Sequence, residues 1–413
     1  MRRPGLVMSK PMSHAADTSS IPETPAALGR LRAWGLSRRD QRALGGLLSV
    51  FLLTRLLLYV TGAIAVRMTP SNSWAQVAAS LGKNFSLVPW TGWDGGWYLS
   101  IAQRGYWFDP SGPSSVAFFP LFPLLVGGVA ALTRNYVVAG LLVANLAALG
   151  AVLVLWRWVR REAGSAAAER AAVWLMVYPF SFFLHSIYAE SLFFLLTTLC
   201  LDASARQRRL AAGLWGALAA AARPMGVLLT PALAWGLWRD YRAGRRPGPC
   251  DIVATLLPAL GLGTYMAYLW VAFDAPLAII TAHTVGWRVQ FHWVIARYWT
   301  ETYWVLTRLV RVHTYPHLLE IVRIVLPVVF VALTVQVFRR LGAVAGIYSG
   351  LTVTVVLFFA LDSAGREFLA VTPAFAVMGI IGSRSLLGES LRFFCLGLLL
   401  LFVFAFASGR FVG

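Results

Sequence analysis

One carboxylate stands out as a candidate for chemistry. Asp94 is the only acidic residue between Asp40 and Asp109, and it sits in WTGWDGGWYLSIAQRGY, residues 90–106, among Trp90, Trp93, Trp97 and Tyr98. A carboxylate at a helix start is favoured by the local dipole and can take a proton from a hydroxyl. Gly95 and Gly96 follow it directly, poor helix formers that leave the carboxylate accessible. Thr91 and Asp94 also have capping-box spacing, so a purely structural use of Asp94 stands beside the catalytic one.

Two further groups of residues carry polar chemistry. HSIYAES, residues 185–191, places His185, Tyr188 and Glu190 between two apolar stretches. There they can contact a sugar or an acceptor, or simply bond helix to helix in a turn. Arg55, Arg223 and Arg366 lie in or beside apolar stretches, where an unpaired arginine is costly. A guanidinium matches phosphate in a planar two-bond geometry and keeps its charge. Arg223, between two half-length apolar pieces, and Arg366, in DSAGRE, can therefore hold a lipid phosphate or pair with acids. Arg55 reads as a structural ion pair or a snorkelling side chain. No metal ligand set is visible: His313 and His317 are four apart, but Pro316 intervenes. Neither a Walker-type loop nor a dinucleotide fingerprint occurs, so the substrate is expected to arrive through the membrane.

The elements that must position these residues are helices in a bilayer. Hydrophobic residues make up 58% of the 413 and charged residues 13%, and the mean hydropathy is +0.68. A soluble domain cannot be built from that mixture without gross apolar exposure. The chain reads as an all-α, polytopic integral membrane protein. Its net charge of +19 is a topology signal, because no basic stretch is interleaved with aromatics as nucleic-acid binding requires. Cys200, Cys250 and Cys395 show no disulfide framework. Residues 1–42 are expected to be a disordered, basic, cytoplasmic tail.

Apolar runs predict spans at 43–66, 137–156, 171–186, 189–203, 209–222, 225–239, 252–273, 318–338, 343–361, 367–382 and 391–408, about eleven crossings. Most arginine-rich loops then fall on the cytoplasmic side. The long segments 67–136 and 274–318 fall on the far side. AFFPLFPLLVGGVAAL, residues 117–132, carries two prolines and two glycines, and counting it as a span would put Arg157, Arg160 and Arg161 outside. It is read as surface-lying or re-entrant. Trp93, Trp97 and Ile101 repeat every four residues, which predicts a short amphipathic helix on the bilayer surface. Five of the six histidines and Asp94, Glu190 and Glu367 share the extracytoplasmic side in this topology.

WDGGWYLSIAQRGY at 93–106, AFFPLFP at 117–123, ARPMG at 222–226, YAESLF at 188–193 and REFLAVTPAF at 366–375 together resemble the PIG-V-type mannosyltransferases, of which the chain looks like a bacterial-type member. The resemblance spans about residues 90–380 and implies a GT-C glycosyltransferase fold in residues 43–408, with surface helices in the first extracytoplasmic loop. It implies transfer of mannose, with inversion, from a polyprenyl-phosphate-mannose donor to an extracytoplasmic hydroxyl on a glycolipid or a protein, in the cell membrane. By similarity Asp94 is the base, Trp93, Trp97 and Tyr98 border the sugar, and Arg366 or Arg223 stabilises the departing phosphate. No cofactor is implied, and no nucleic-acid partner. Nothing distinguishes mannose from another carrier-linked sugar. A sugar-lipid transporter would also need intramembrane arginines and broken helices, but it predicts two related halves, and WDGGWY and AFFPLFP occur once each.

Overall fold

The computed structural model describes residues 37–69, 87–289, 291, 293–310, 318–382, 385–410 and 412, with no strand among them. The chain divides into two units, Met1–Gly45 and Gly46–Gly413. In the first, Ser37 and Asp40 open helix α1 (Arg38–Met68): Asp40 N–H donates to Ser37 Oγ at 3.2 Å, and Ser37 N–H donates to Asp40 Oδ2 at 3.0 Å. This reciprocal pair satisfies donors that the first turn leaves open. The helix thus begins inside the expected 1–42 tail, and residues 1–36 of that tail lie outside the described residues.

The chain continues through α2 (Asp94–Arg104), α3 (Leu121–Thr133), α4 (Tyr136–Ala163), α5 (Ser165–Val177), α6 (Glu190–Ala205), α7 (Arg209–Ala222) and α8 (Leu229–Arg242). Then come α9 (Pro249–Phe273), α10 (Ala278–Thr281), α11 (Val294–Val310), α12 (Leu318–Phe359), α13 (Ala364–Glu367), α14 (Thr372–Ile381) and α15 (Leu386–Ala407). Asn135 caps α4 by accepting from Val137 N–H and Val138 N–H at 3.0 and 3.1 Å. Asp251 accepts from Gly248 N–H at 3.0 Å at the start of α9. Gly105, at φ 81°, ends α2 in a backbone conformation that suits glycine.

Helices α1, α4, α9, α12 and α15 are long and apolar enough to cross a bilayer, and Leu361–Ala370 with Thr372–Ile381, bent by 72°, makes a sixth if the pair is one span. The chain is a multi-pass membrane protein. The expected eleven crossings are not reached by this measure. Helices α5, α6, α7 and α8 have 13, 16, 14 and 14 residues, roughly 20–24 Å of helix against a hydrocarbon core of about 30 Å. The spans expected at 318–338 and 343–361 run together in α12, which breaks at Gly342. Segment 117–132 becomes a 3-10 turn at Ser115–Ala117 and the 13-residue α3, again short of a span.

Charge sorts the two ends of the Gly46–Gly413 unit. Asp202 at the end of α6 pairs with Arg157 at 3.0 Å, Arg161 at 2.6 Å and Arg206 at 3.6 Å. Arg209 joins Asp240 at 2.6 Å and Asp251 at 2.7 Å. The basic turns after α4, α6 and α8 therefore gather at one end. At the opposite end, Ile187 packs onto Gly140 near the start of α4, and the candidate site lies there.

Helices α7 and α9 meet backbone to backbone. A Cβ on Gly213 would stand 2.2 Å from Ala254 O, and one on Gly261 would stand 2.4 Å from Ala217 O. Gly213→Val should therefore destabilise the fold by about 1–3 kcal/mol or more through overpacking. Gly263→Ala, which meets open space, should be neutral or stabilising. Thermal melts of the two variants in detergent check this.

Candidate active site

Asp94 is delivered by a turn that only close packing makes possible. Trp93 holds φ 54°, an unusual value for a non-glycine residue, immediately before α2. A Cβ on Gly95 would lie 3.2 Å from Trp90 O and 3.5 Å from Ile187 O, so the residue after Asp94 is tightly enclosed. Three bonds tie this turn to the 185–188 turn. Ile187 N–H donates to Trp90 O at 3.1 Å, Asp94 N–H donates to Tyr188 Oη at 3.2 Å, and Tyr188 O–H donates to Gly92 O at 3.3 Å. Burial pushes the Tyr188 phenol well above its ordinary range, and the Asp94 charge adds to this, so Tyr188 stays a neutral donor.

The capping use of Asp94 is not realised. Thr91 Oγ1 donates to Val88 O at 2.8 Å, and α2 starts without a side-chain cap. The Asp94 carboxylate turns away from its own helix and bonds Arg366 Nη1 through Oδ2. The expected Trp93/Trp97/Ile101 stripe is corrected as well. Trp93 precedes the helix and is 44% exposed, while Ile101 is buried together with Gly95, Tyr98 and Leu99.

Arg366 is positioned by α13, in the break before α14. Tyr178 O–H donates to Gly365 O at 2.8 Å, and Tyr348 O–H donates to Ala370 O at 2.9 Å. Phe368 stacks on Phe330 at 4.3 Å. The Arg366 guanidinium lies over the rings of Phe183 and Tyr188 at 5.5 and 5.7 Å. Arg223 is positioned by the break after α7. Pro224 forces it into extended backbone (φ −153°, ψ 148°). A Cβ on Gly226 would lie 2.3 Å from Ala220 N, so the chain can fold back closely there.

These breaks converge on one ion-pair cluster. Arg223 reaches Glu190 Oε1 at 2.9 Å through Nη1 and Glu367 Oε1 at 2.7 Å through Nη2. Arg366 holds Asp94 and makes longer contacts to Glu190 at 3.5 Å and Glu367 at 3.4 Å. The Glu190 and Glu367 side chains are 3% and 7% exposed, whereas Asp94 is 26% exposed. Trp93, Asp94, Phe183, Tyr188, Arg366, Phe406 and Val412 line a small cleft over this open edge. Glu190 Oε2 and Arg366 Nε are buried without a hydrogen bond among the described residues. No three His, Cys, Asp or Glu side chains among those residues are arranged to hold a metal.

The sequence-level candidates thus divide. Asp94, Tyr188, Glu190, Arg223 and Arg366 come together. Tyr98 is buried, and Glu190 adds to the upward push that burial gives its phenol, so it backs the cluster. His185 does not join: its Nδ1 bonds Asn145 Oδ1 at 2.8 Å and its ring meets Trp90 edge-on at 4.5 Å. Trp97 faces Trp107, Phe118 and Trp287 at 5.8, 5.6 and 5.3 Å. Arg55 neither pairs with an acid among the described residues nor snorkels. It is 9% exposed and stacks on Phe51 at 4.6 Å, with Nε and Nη1 unpartnered. Glu367 joins the cluster without having been singled out; its place beside Arg366 was the available signal. Asp362, the other acid of DSAGRE, goes to Arg297 at 2.5 Å.

Removing one member of a buried ion-pair group typically costs about 3–5 kcal/mol, because its partners are left unpaired. Arg223→Met should accordingly lower the melting temperature and folded yield sharply, with Arg223→Met/Glu367→Gln recovering part of the loss. Melting curves of both proteins in detergent test this.

The mannosyltransferase (PIG-V) family model matches residues 41–239. No curated protein matches the chain. Among solved structures, ArnT from Cupriavidus metallidurans bound to undecaprenyl phosphate aligns with TM-score 0.50 at 14% identity, covering 78% of this chain and 63% of that one. The archaeal oligosaccharyltransferase AglB from Archaeoglobus fulgidus, in complex with an inhibitory peptide and a dolichol-phosphate, aligns with TM-score 0.43 at 13% identity, covering 88% and 55%. The chain thus spans less than two thirds of the length of either neighbour, and the likeness to ArnT is one of fold. Residues 41–239, which carry Asp94, Glu190 and Arg223, are thus similar to the PIG-V mannosyltransferases, and the chain shares its overall fold with ArnT.

Proposed function

We propose that the protein transfers a mannosyl residue from a polyprenyl-phosphate carrier to an acceptor hydroxyl at the extracytoplasmic face of the cell membrane, with inversion. The observation that carries this reading is the placement of Asp94. It is the most exposed carboxylate of the cluster, it borders the cleft, and its Oδ1 has no partner among the described residues. Asp94 Oδ1 accepts the proton of the acceptor hydroxyl while that oxygen attacks the anomeric carbon. The bond from the anomeric carbon to the phosphate oxygen breaks, and the carrier phosphate leaves with the electron pair.

Arg366 rather than Arg223 serves the departing phosphate. Arg223 is held by two buried carboxylates at 2.7–2.9 Å, while Arg366 borders the cleft and touches Glu190 and Glu367 only at 3.4–3.5 Å. Glu190 Oε2, buried without a partner among the described residues, is suited to accept from a sugar hydroxyl. Trp93 offers an exposed ring at the cleft edge. The carrier's prenyl chain lies against the apolar faces of the spans. A lipid-borne donor also agrees with the absence of nucleotide-binding motifs from the sequence.

Asp94→Asn keeps the size of the side chain and leaves Arg366 its contacts to Glu190 and Glu367. In proteoliposomes supplied with polyprenyl-phosphate-mannose and membrane glycolipid, transfer should fall by about 10²–10⁴-fold with an unchanged melting temperature. A wild-type rate in this variant would remove Asp94 from the chemistry. Wild-type protein that draws no sugar from any prenyl-phosphate donor would sink the reading as a whole.

A further inference from the structure

The end of the molecule opposite the candidate site holds a cavity of about 240 Å³ that no step of the proposed transfer uses. Its walls are the turn between α6 and α7, the second half of α8, the second turn of α9 and the break in α12. The break comes at Gly342, whose φ of 84° turns the chain before the helix restarts. A Cβ on Gly236 would stand 3.1 Å from Val344 Cγ2, so α8 lies close against that restart. The floor is apolar and buried, with Trp158, Leu201 and Ala254. The rim is polar: Ser204, Gln207 and Arg239 stand on it. Gln207 closes α6 at φ 58°, and its side chain lies at the cavity rather than along the helix.

The charge at this rim is positive and partly uncommitted. Arg209 is held by Asp240 and Asp251, and Asp240 also takes Arg239 at 3.1 Å and Arg245 at 3.9 Å. Three guanidinium groups against two carboxylates leave one positive charge. Arg208, Arg242, Arg339 and Arg340 lie within two residues of the lining in sequence and add to it. The neighbouring acid Asp202 is already taken by Arg157, Arg161 and Arg206. Arg239 gives Nε and Nη2 to Asp240 Oδ1, while its Nη1, the Gln207 amide and the Ser204 hydroxyl have no partner among the described residues. Uncommitted donors and a positive field around one cavity suit an anion with several oxygens.

Tryptophans place the rim at the depth of lipid headgroups. Trp235 and Trp238 are exposed on α8 with their rings 4.8 Å apart, and Arg242 lies over Trp238 at 5.7 Å. Exposed tryptophan beside arginine marks the boundary between hydrocarbon and water. Arg239 follows Trp238 directly.

We infer that this cavity binds the phosphate headgroup of an anionic membrane lipid, held by Arg239 Nη1, the Gln207 amide and the Ser204 hydroxyl. The lipid's glycerol lies over the apolar floor and its chains run along α8 beside Trp235 and Trp238. A lipid seated there joins α6, α8 and α12, so it stabilises the fold by binding the native state alone. This role is independent of the transfer chemistry at the other end.

The full chain in neutral detergent is titrated with phosphatidylglycerol, with phosphatidylcholine and inorganic phosphate as separate arms. Binding is read by native mass spectrometry and by the rise in melting temperature. Arg239→Gln removes the charge at a side chain that is 53% exposed and leaves Asp240 its bond to Arg209, so the variant should fold. It should bind phosphatidylglycerol about tenfold more weakly. Arg242→Gln, which removes the same charge outside the cavity, should bind as wild type does. Ser204→Leu, which places an apolar side chain in the cavity, should weaken phosphatidylglycerol without lowering the lipid-free melting temperature. Wild-type affinity in Arg239→Gln would overturn the inference. Equal losses in Arg239→Gln and Arg242→Gln would replace the site by diffuse attraction. Phosphatidylcholine binding as tightly as phosphatidylglycerol would remove the preference for an anion, and inorganic phosphate binding as tightly would remove the lipid as the ligand.

Discussion

The arrangement of this end of the molecule depends on keeping two guanidinium groups and three carboxylates together where little water reaches. Isolated charges at such a site are expensive, and they persist only when their partners are close and well oriented. Arg223 meets that condition through Glu190 and Glu367, at 2.7–2.9 Å and with hardly any exposure. Arg366 meets it less completely, with one carboxylate at the cleft and two at 3.4–3.5 Å. The cluster thus has an anchored half and a half that borders the cleft. This asymmetry gives residues of the same types different surroundings, buried and fully paired for Arg223, open at one edge for Asp94 and Arg366.

The helix breaks follow from that constraint. An uninterrupted helix distributes its side chains around a cylinder, so one helix cannot aim several charges at a single point. Here the charges come from the start of α2, the start of α6, the break after α7 and the bend at α13. Local sequence makes each interruption: Gly95 and Gly96 after Asp94, Pro224 after Arg223, Gly365 before Arg366. At Gly365, a Cβ would fall 2.2 Å from the Phe180 ring, which is how closely that turn sits on the core. Tyrosine hydroxyls then fix the turns through backbone carbonyls, with Tyr178 and Tyr348 at the Arg366 turn and Tyr188 at the Asp94 turn.

Much of the site was legible because its residues are chemically conspicuous. A lone acid among tryptophans, an arginine before a proline and an arginine among acids are each costly in an apolar chain, so each asks for a reason. The residues read less well were those whose surroundings decide their role. His185 looked like a site residue from its neighbours in sequence, yet Asn145, forty positions away, takes its Nδ1. Trp97 looked like a partner of Trp93, yet its ring contacts come from Trp107, Phe118 and Trp287. Helix length among the described residues does not reach the expected eleven crossings, for a related reason. Apolar composition marks what can be buried, but α5 to α8 are too short to span by themselves, and hydropathy does not separate burial in protein from burial in lipid.

The sequence by itself determined that this is a helical membrane protein, where its helices break, and which few ionisable residues sit beside apolar stretches. Those properties are local: hydropathy, proline and glycine chemistry, and the cost of charge in an apolar setting act within a turn or two. Only the tertiary structure decided which charges meet. Asp94 and Arg366 are 272 residues apart, and Arg223 and Glu367 are 144 apart. No local rule pairs them, because the pairing is set by how the turns are packed against one another.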